Sequence, residues 1–154
     1  MRRVLLPAVL LAVGCGGSGS HDGTAIVARA QHGLSGLGST PTHLEVRAMT
    51  VERRFVLRAN QLPKLDLMRW TTNRKRVECE QGLECARADV DVDAALRELR
   101  PLMPALPVAP EDIRNAQLDV AVDRTGRTRY LHLHGKLHVT LGDVPFEASL
   151  DVPR

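Results

Sequence analysis

LHLHGKLHVTLGDVPFEASLDV, residues Leu131 to Val152, decides the fold. Leu131, Leu133, Leu137 and Val139 are apolar, and polar side chains fill most positions between them. Successive side chains of a strand point to opposite faces, so period-2 alternation marks a strand with one face buried. Gly142-Asp143 reads as a two-residue hairpin turn with glycine first. That turn sets Val139 opposite Phe146, Leu137 opposite Ala148, Gly135 opposite Leu150 and Leu133 opposite Val152. On the other face His138 meets Glu147, Lys136 meets Ser149 and His134 meets Asp151. A slip of one residue would mix the two faces, which disfavours it.

Working outward, QLDVAVDRTGRTRYLHL (117–133) reads as a second hairpin around Thr125-Gly126. In the register that keeps the apolar face whole, Leu118 meets Leu133, Asp119 meets His132 and Val120 meets Leu131. A three-residue loop with Gly126 left-handed is the competing closure, and it sets Val120 opposite Tyr130. The C-terminal third is therefore a three-stranded meander over 116–123, 128–140 and 145–152.

Further upstream the alternation continues less regularly. Strands are expected at 24–30, 43–49, 54–59, 65–71, 76–80 and 83–90, with a Gly-rich loop at 31–42 and a turn between 50 and 53. One helix is expected at Ala94 to Arg100. Asp91 or Asp93 caps it, Leu96 and Leu99 share a side, and Pro101 ends it. Prolines at 101, 104, 107 and 110 then predict an extended crossover beside the sheet. The expected fold is α+β and mainly antiparallel. It is a curved, half-barrel-like sheet of about eight strands with one helix and the Pro-rich crossover.

The other end of the chain speaks of location. Arg2 and Arg3 precede an apolar run from Val4 to Val13, the layout of a secretory signal. The run is too short for a bilayer core, which needs about 20 residues. Ala12, Val13 and Gly14 then lead into Cys15 and the tract GGSGSHDG. LAVGC resembles the bacterial lipobox, with Ala12 where that family usually carries leucine. The resemblance implies removal of residues 1–14, lipidation of Cys15, a flexible tether over 15–23 and a single β-rich domain over 24–154. Gly16 after the cysteine implies the outer membrane, facing the periplasm. Palmitate-type acyl chains on Cys15 would hold the protein there, since two anchoring signals make attachment stable.

Composition narrows the partners. The chain has 21 basic and 18 acidic residues. Arg2 and Arg3 leave with the signal, so the mature domain is nearly neutral and gives no reason to expect nucleic acid. The four aromatics Phe55, Trp70, Tyr130 and Phe146 are too scattered for a base-stacking platform. Charge is nevertheless blocked. Basic side chains crowd 47–76 and acidic ones crowd 77–123. The blocks pair with each other, or Arg47, Arg53, Arg54, Arg58, Arg74, Lys75 and Arg76 face anionic lipid headgroups or lipopolysaccharide. Cys79 and Cys85, in VECEQGLEC, read as a disulfide in an oxidising compartment. A hairpin tip at Gln81 to Leu83 would set them directly opposite each other.

Enzyme motifs are missing: no G-x-S-x-G, no phosphate-binding loop and no H-E-x-x-H. The chain is expected to be no enzyme. His132 and His134 point the same way, about 7 Å apart along a strand. With Asp119 and Asp151 beside them they offer a Zn or Cu site, whereas His138 is too distant to join. Cross-strand His–Asp pairs on a wetted face account for the same residues. In outline the mature domain resembles the periplasmic lipid and lipoprotein carriers of the LolA and LolB type. The leading functional expectation is a lipid or other apolar ligand between sheet and helix, with Phe55, Trp70, Leu96, Leu99, Met103 and Leu106 as the candidates to line that space or simply to pack the core. The alternatives are a partner-docking assembly factor and a metal-binding protein using His132 and His134.

Overall fold

The computed structural model describes residues 22–37, 42–57, 65–102 and 108–152. The expected signal sequence, Cys15, most of the expected tether, Met103, Leu106 and the middle of the expected Pro-rich crossover lie outside them. Seven strands form one curved, open antiparallel sheet: β1 (Thr42–Ala48), β2 (Val51–Leu57), β3 (Thr71–Val77), β4 (Leu83–Val90), β5 (Ile113–Asp123), β6 (Thr128–Val139) and β7 (Gly142–Asp151). Their order across the sheet is β2-β1-β7-β6-β5-β4-β3. The eight strands and single helix expected from the sequence become, among the described residues, seven strands and three α-helices: α1 (Thr24–Ser35), α2 (Leu67–Trp70) and α3 (Val92–Leu99). A short 3-10 turn at Pro110–Asp112 leads into β5.

Two expected strands are helices. Residues 24–30, and the first part of the expected loop after them, belong to α1. Ile26, Val27, Ala30 and Leu34 are buried along one helical stripe, and α1 lies against β4, β5 and β6 with it. The side chain of Thr128 in β6 donates to Ala30 O at 2.7 Å, fixing the helix to the sheet. A short run of β-branched and small apolar residues fits a strand or a packed helix equally well, and tertiary burial chose the helix. Residues 67–70, expected as strand, form α2. Asp66 caps it by accepting from Arg69 N. Gln31 of α1 bridges its start, donating to Leu65 O at 2.6 Å and accepting from Leu67 N.

The expected helix is present as α3, capped by Asp91, whose carboxylate accepts from Ala94 N at 3.1 Å. Leu99 is buried as expected, but Ala95 rather than Leu96 shares the buried side. Glu98 accepts from both Trp70 Nε1 (2.7 Å) and Asp66 N (2.9 Å), so α2 and α3 are locked together.

The β5–β6 ladder follows the expected register, with Leu118 opposite Leu133, Asp119 opposite His132 and Val120 opposite Leu131. The turn itself is the competing three-residue loop. Gly126 is left-handed at φ 82°, and Asp123 N donates to Arg127 O at 3.0 Å. A bulge between Ala121 and Val122 reconciles the two closures.

The β6–β7 register is corrected. The turn falls on Thr140-Leu141, not Gly142-Asp143, and Gly142 pairs with Val139. Leu137 meets Val144, Leu133 meets Ala148 and Leu131 meets Leu150. Both strands have moved by two residues, which keeps each side chain on its expected face. Period-2 patterning cannot distinguish such registers. Packing distinguishes them. Phe146 lies opposite Gly135, where an added Cβ would stand 2.8 Å from the ring and 3.0 Å from Arg114 O. Only glycine leaves room there for both the ring and the bulged start of β5.

Cys79 and Cys85 are disulfide-bonded, with Cα atoms 6.1 Å apart. They are not ladder partners as expected. Cys85 faces Val77, and Cys79 reaches across from the loop beyond β3. Asp22 and Gly23, at the end of the expected tether, lie against β3. Asp22 bridges Lys75, and Gly23 N donates to Arg74 O at 3.1 Å.

Candidate functional site

Among the described residues, the inner face of the sheet does not close completely on the helices. A cavity of about 110 Å³, partly open to solvent, remains between them. Alternating residues of neighbouring strands form its floor, Val46 of β1, Ala148 of β7 and Leu133 of β6 among them. Leu65, Trp70, Leu99 and Val108 cover it from the helical side. Every lining residue among the described ones is apolar. Trp70 is the one with a polar side-chain atom, and its Nε1 is spent on Glu98. A water molecule needs two to four polar partners, so such a space stays dry or takes apolar matter. An apolar cavity of ~150 Å³ accommodates benzene. By proportion, this one holds about four carbon atoms, a short stretch of one acyl chain.

Of the six expected lining residues, Trp70 and Leu99 stand in the wall. Phe55 packs against the core without reaching the cavity, and Leu96 is half-buried away from it. Met103 and Leu106 lie outside the described residues. Leu65, Leu133, Ala148 and Val108 were missed. The phase of the strands could have supplied Leu133 and Ala148. Nothing local in the sequence points to Leu65 or Val108, which the chain brings back over the sheet from its irregular connections.

The histidine strand lies on the opposite, outer face. His132 and His134 stand with ring centroids 5.3 Å apart. His134 Nε2 is 3.3 Å from Asp119 Oδ2, close but without hydrogen-bond geometry. His132 Nε2 is 3.9 Å from Glu147 Oε2. Asp151 is not beside them. The corrected register places it opposite Tyr130, and Glu147 takes the position opposite His134. His138, expected opposite Glu147, instead shares a 2.8 Å hydrogen bond with Asp143. Asp119 is claimed by Arg87, whose Nε and Nη2 donate to its two oxygens at 2.7 and 2.9 Å. Burial acts to raise the Asp119 carboxyl, but these two bonds, the Arg87 charge and His134 outweigh it and hold the group below the usual range. The same contact raises Arg87. Among the described residues no three His, Cys, Asp or Glu side chains are gathered so as to hold a metal ion. What the outer face offers is a row of paired charges.

The charge blocks pair only in part. Arg76 of the basic block meets Glu84 of the acidic one at 3.0 Å. Arg47 and Arg54 instead pair inside their own hairpin with Glu45, and Arg47 also with Glu52. Arg74 is used structurally, donating to Met68 O and Thr71 O where α2 runs into β3. No family model, curated protein or solved structure matches the chain. Among the described residues, no helix is long and apolar enough to cross a membrane.

Proposed function

We propose that the protein is a non-catalytic lipoprotein of the cell envelope. A lipid on Cys15 holds it at the outer membrane facing the periplasm, and its cavity takes part of an acyl chain or a comparably apolar ligand. The observation that carries this reading is the apolar wall that the described residues give the cavity between sheet and helices. A packed core leaves few voids larger than a water molecule, so an open apolar cavity in a small domain is a feature to explain. The lipobox-like LAVGC supports the membrane half of the reading.

Trp70 is the sole tryptophan and stands in the cavity wall, so it reports occupancy directly. Titration with a spin-labelled fatty acid should quench its emission with saturation in the micromolar range. Absence of saturable quenching up to about 100 μM, roughly −5.5 kcal/mol, would remove the ligand half of the proposal. The anchor half has its own test. Protein taken from bacterial membranes should carry acyl mass on the peptide beginning at Cys15, and Cys15→Ser should lack it. An unmodified Cys15 peptide from the parent protein would refute anchoring.

A further inference from the structure

The β6–β7 hairpin outruns its neighbours. β1 pairs with β7 only as far as Ala48 opposite Phe146. β5 joins β6 only from Ile113 opposite Leu137. Residues 138–145 therefore take their ladder partners only within the hairpin. Four ladder pairs carry the finger roughly 13 Å past the end of β1, and two carry it roughly 7 Å past the start of β5.

The chemistry of the finger is polarised. Leu141, at its tip, is 95% exposed. Val139 and Val144 follow on the inner face, half-buried. Leu137, Ile113 and Phe146 continue that face and line the cavity. An apolar track thus leads from the tip to the cavity. The adjacent β1–β2 turn, at the same end of the sheet, exposes Met49 and Val51 by 64% and 53%. A single exposed leucine needs no explanation, but a projecting apolar end continuous with a cavity does.

At the base of the finger two basic side chains share the outer face, flanked by Glu111 and Asp112 of the turn before β5. Arg114 stands directly opposite Lys136, and like charges in that position repel. Asp143, the one carboxylate between Lys136 and Phe146, bonds His138 and also feels the charges of Arg114 and Lys136. One carboxylate between two cations leaves a positive balance on this outer edge, which an anionic surface would meet.

We infer that the finger is a docking element for an anionic lipid bilayer. Leu141 enters the interfacial layer, Arg114 and Lys136 meet headgroup phosphates, and the apolar track leads from the bilayer to the cavity. Apolar tips with a basic collar bind membranes through buried area plus headgroup attraction. This inference rests on the membrane-anchored reading above. The tether constrains the pose. Asp22 bridges Lys75, which is level with His132, and His132 lies nine residues from Leu141, about 30 Å along the strand. The seven residues from Cys15 to Asp22 span at most about 24 Å. Anchor and tip reach one membrane plane only if the strands lie obliquely to it.

The test uses the full-length chain reconstituted in vesicles of phosphatidylethanolamine and phosphatidylglycerol. An environment-sensitive fluorophore is placed at Thr140→Cys beside the tip, or at Thr125→Cys on the opposite end of the sheet. The unsubstituted chain serves as the labelling blank. The Thr140 probe should shift to the blue and be quenched by spin-labelled lipid, while the Thr125 probe stays aqueous. Leu141→Asp should abolish the shift, and Arg114→Glu with Lys136→Glu should remove the preference for anionic over phosphatidylcholine vesicles. If the Thr140 probe is as aqueous as the Thr125 probe while fatty acid still quenches Trp70, the docking inference fails and the ligand reading stands. If quenching of Trp70 is lost as well, both fail. A Thr140 probe shielded only when a soluble protein is added would make the finger a protein-docking element and overturn the lipid assignment.

Discussion

Filling the cavity separates a binding site from a packing defect, and Ala148→Leu does this with one substitution. Ala148 lies on the inner face of β7, opposite Leu133 of β6 and Val46 of β1, and lines the cavity. Leucine adds three carbons to a space of about 110 Å³, room for roughly four by comparison with the benzene-sized cavity. Burying three carbons at ~0.8 kcal/mol each gives about 2.4 kcal/mol. Ordering the leucine side chain costs ~0.5–1 kcal/mol of that. The net expectation is a gain of about 1.5–2 kcal/mol, which raises Tm by roughly 4–8 °C in a domain of this size. The same substitution should abolish quenching of Trp70 by spin-labelled fatty acid, because the carbons of the protein now occupy the place of the ligand. Thermal unfolding followed by circular dichroism and the Trp70 titration give both readings from one preparation. A fall in stability of ~1–3 kcal/mol, the usual cost of overpacking, would show that no free space exists at Ala148. Higher stability with unchanged fatty-acid binding would show that the ligand binds elsewhere.

Gly135→Ala should destabilise the domain by about 1–3 kcal/mol in urea unfolding, because the new Cβ meets backbone at 3.0 Å (Arg114 O) and 3.1 Å (Ala116 Cα) as well as the Phe146 ring; unchanged stability would contradict the observed β6–β7 register. Asp119 is held below its ordinary pKa chiefly by Arg87 acting against burial. The unfolded chain therefore takes up the proton first as pH falls. The stabilisation is complete above the unfolded carboxylate value near 4 and is lost as pH drops through the lower folded value. Asp119→Asn should flatten stability against pH in that acid window, and an identical slope in both proteins would assign the effect to other carboxylates. Reducing the Cys79–Cys85 bond opens a seven-residue loop, a loss of about 2 kcal/mol on chain entropy, measurable as a lower urea midpoint with dithiothreitol. Asp91→Ala removes the cap of α3 and should cost ~1 kcal/mol, together with weaker ligand quenching if α3 positions Leu99 over the cavity.

Much of the sheet was written in local pattern. β4 and the β5–β6 register match their expected positions, because a residue's phase along a strand fixes its face and a misplaced face exposes the core. α3 was equally legible, since Asp91, the helix formers after it and Pro101 are local signals of start and stop. The β6–β7 strands were legible in phase but not in register. A two-residue displacement of each strand conserves every local preference, and only the fit of Phe146 over Gly135 tells the registers apart. The site was less legible. Trp70 and Leu99 could be chosen as large apolar residues near the one expected helix, but Phe55 and Leu96 are of the same kind and do not line the cavity. Asp151 was assigned beside His134 only because the register was displaced.

By itself, the sequence determined a mainly antiparallel sheet with one apolar face, a disulfide between Cys79 and Cys85, and the expectation of a lipid-anchored periplasmic domain. Those features depend on short-range periodicity, on pairs of residues close along the chain, or on a signal at its end. Tertiary structure alone decided that residues 24–35 are a helix, that β1 pairs with β7 across almost the whole chain, and that among the described residues a cavity remains between helices and sheet. The physical reason is the same each time. An amphipathic or wholly apolar segment states that it must be buried, while the partner that buries it is chosen by fit between elements far apart in sequence.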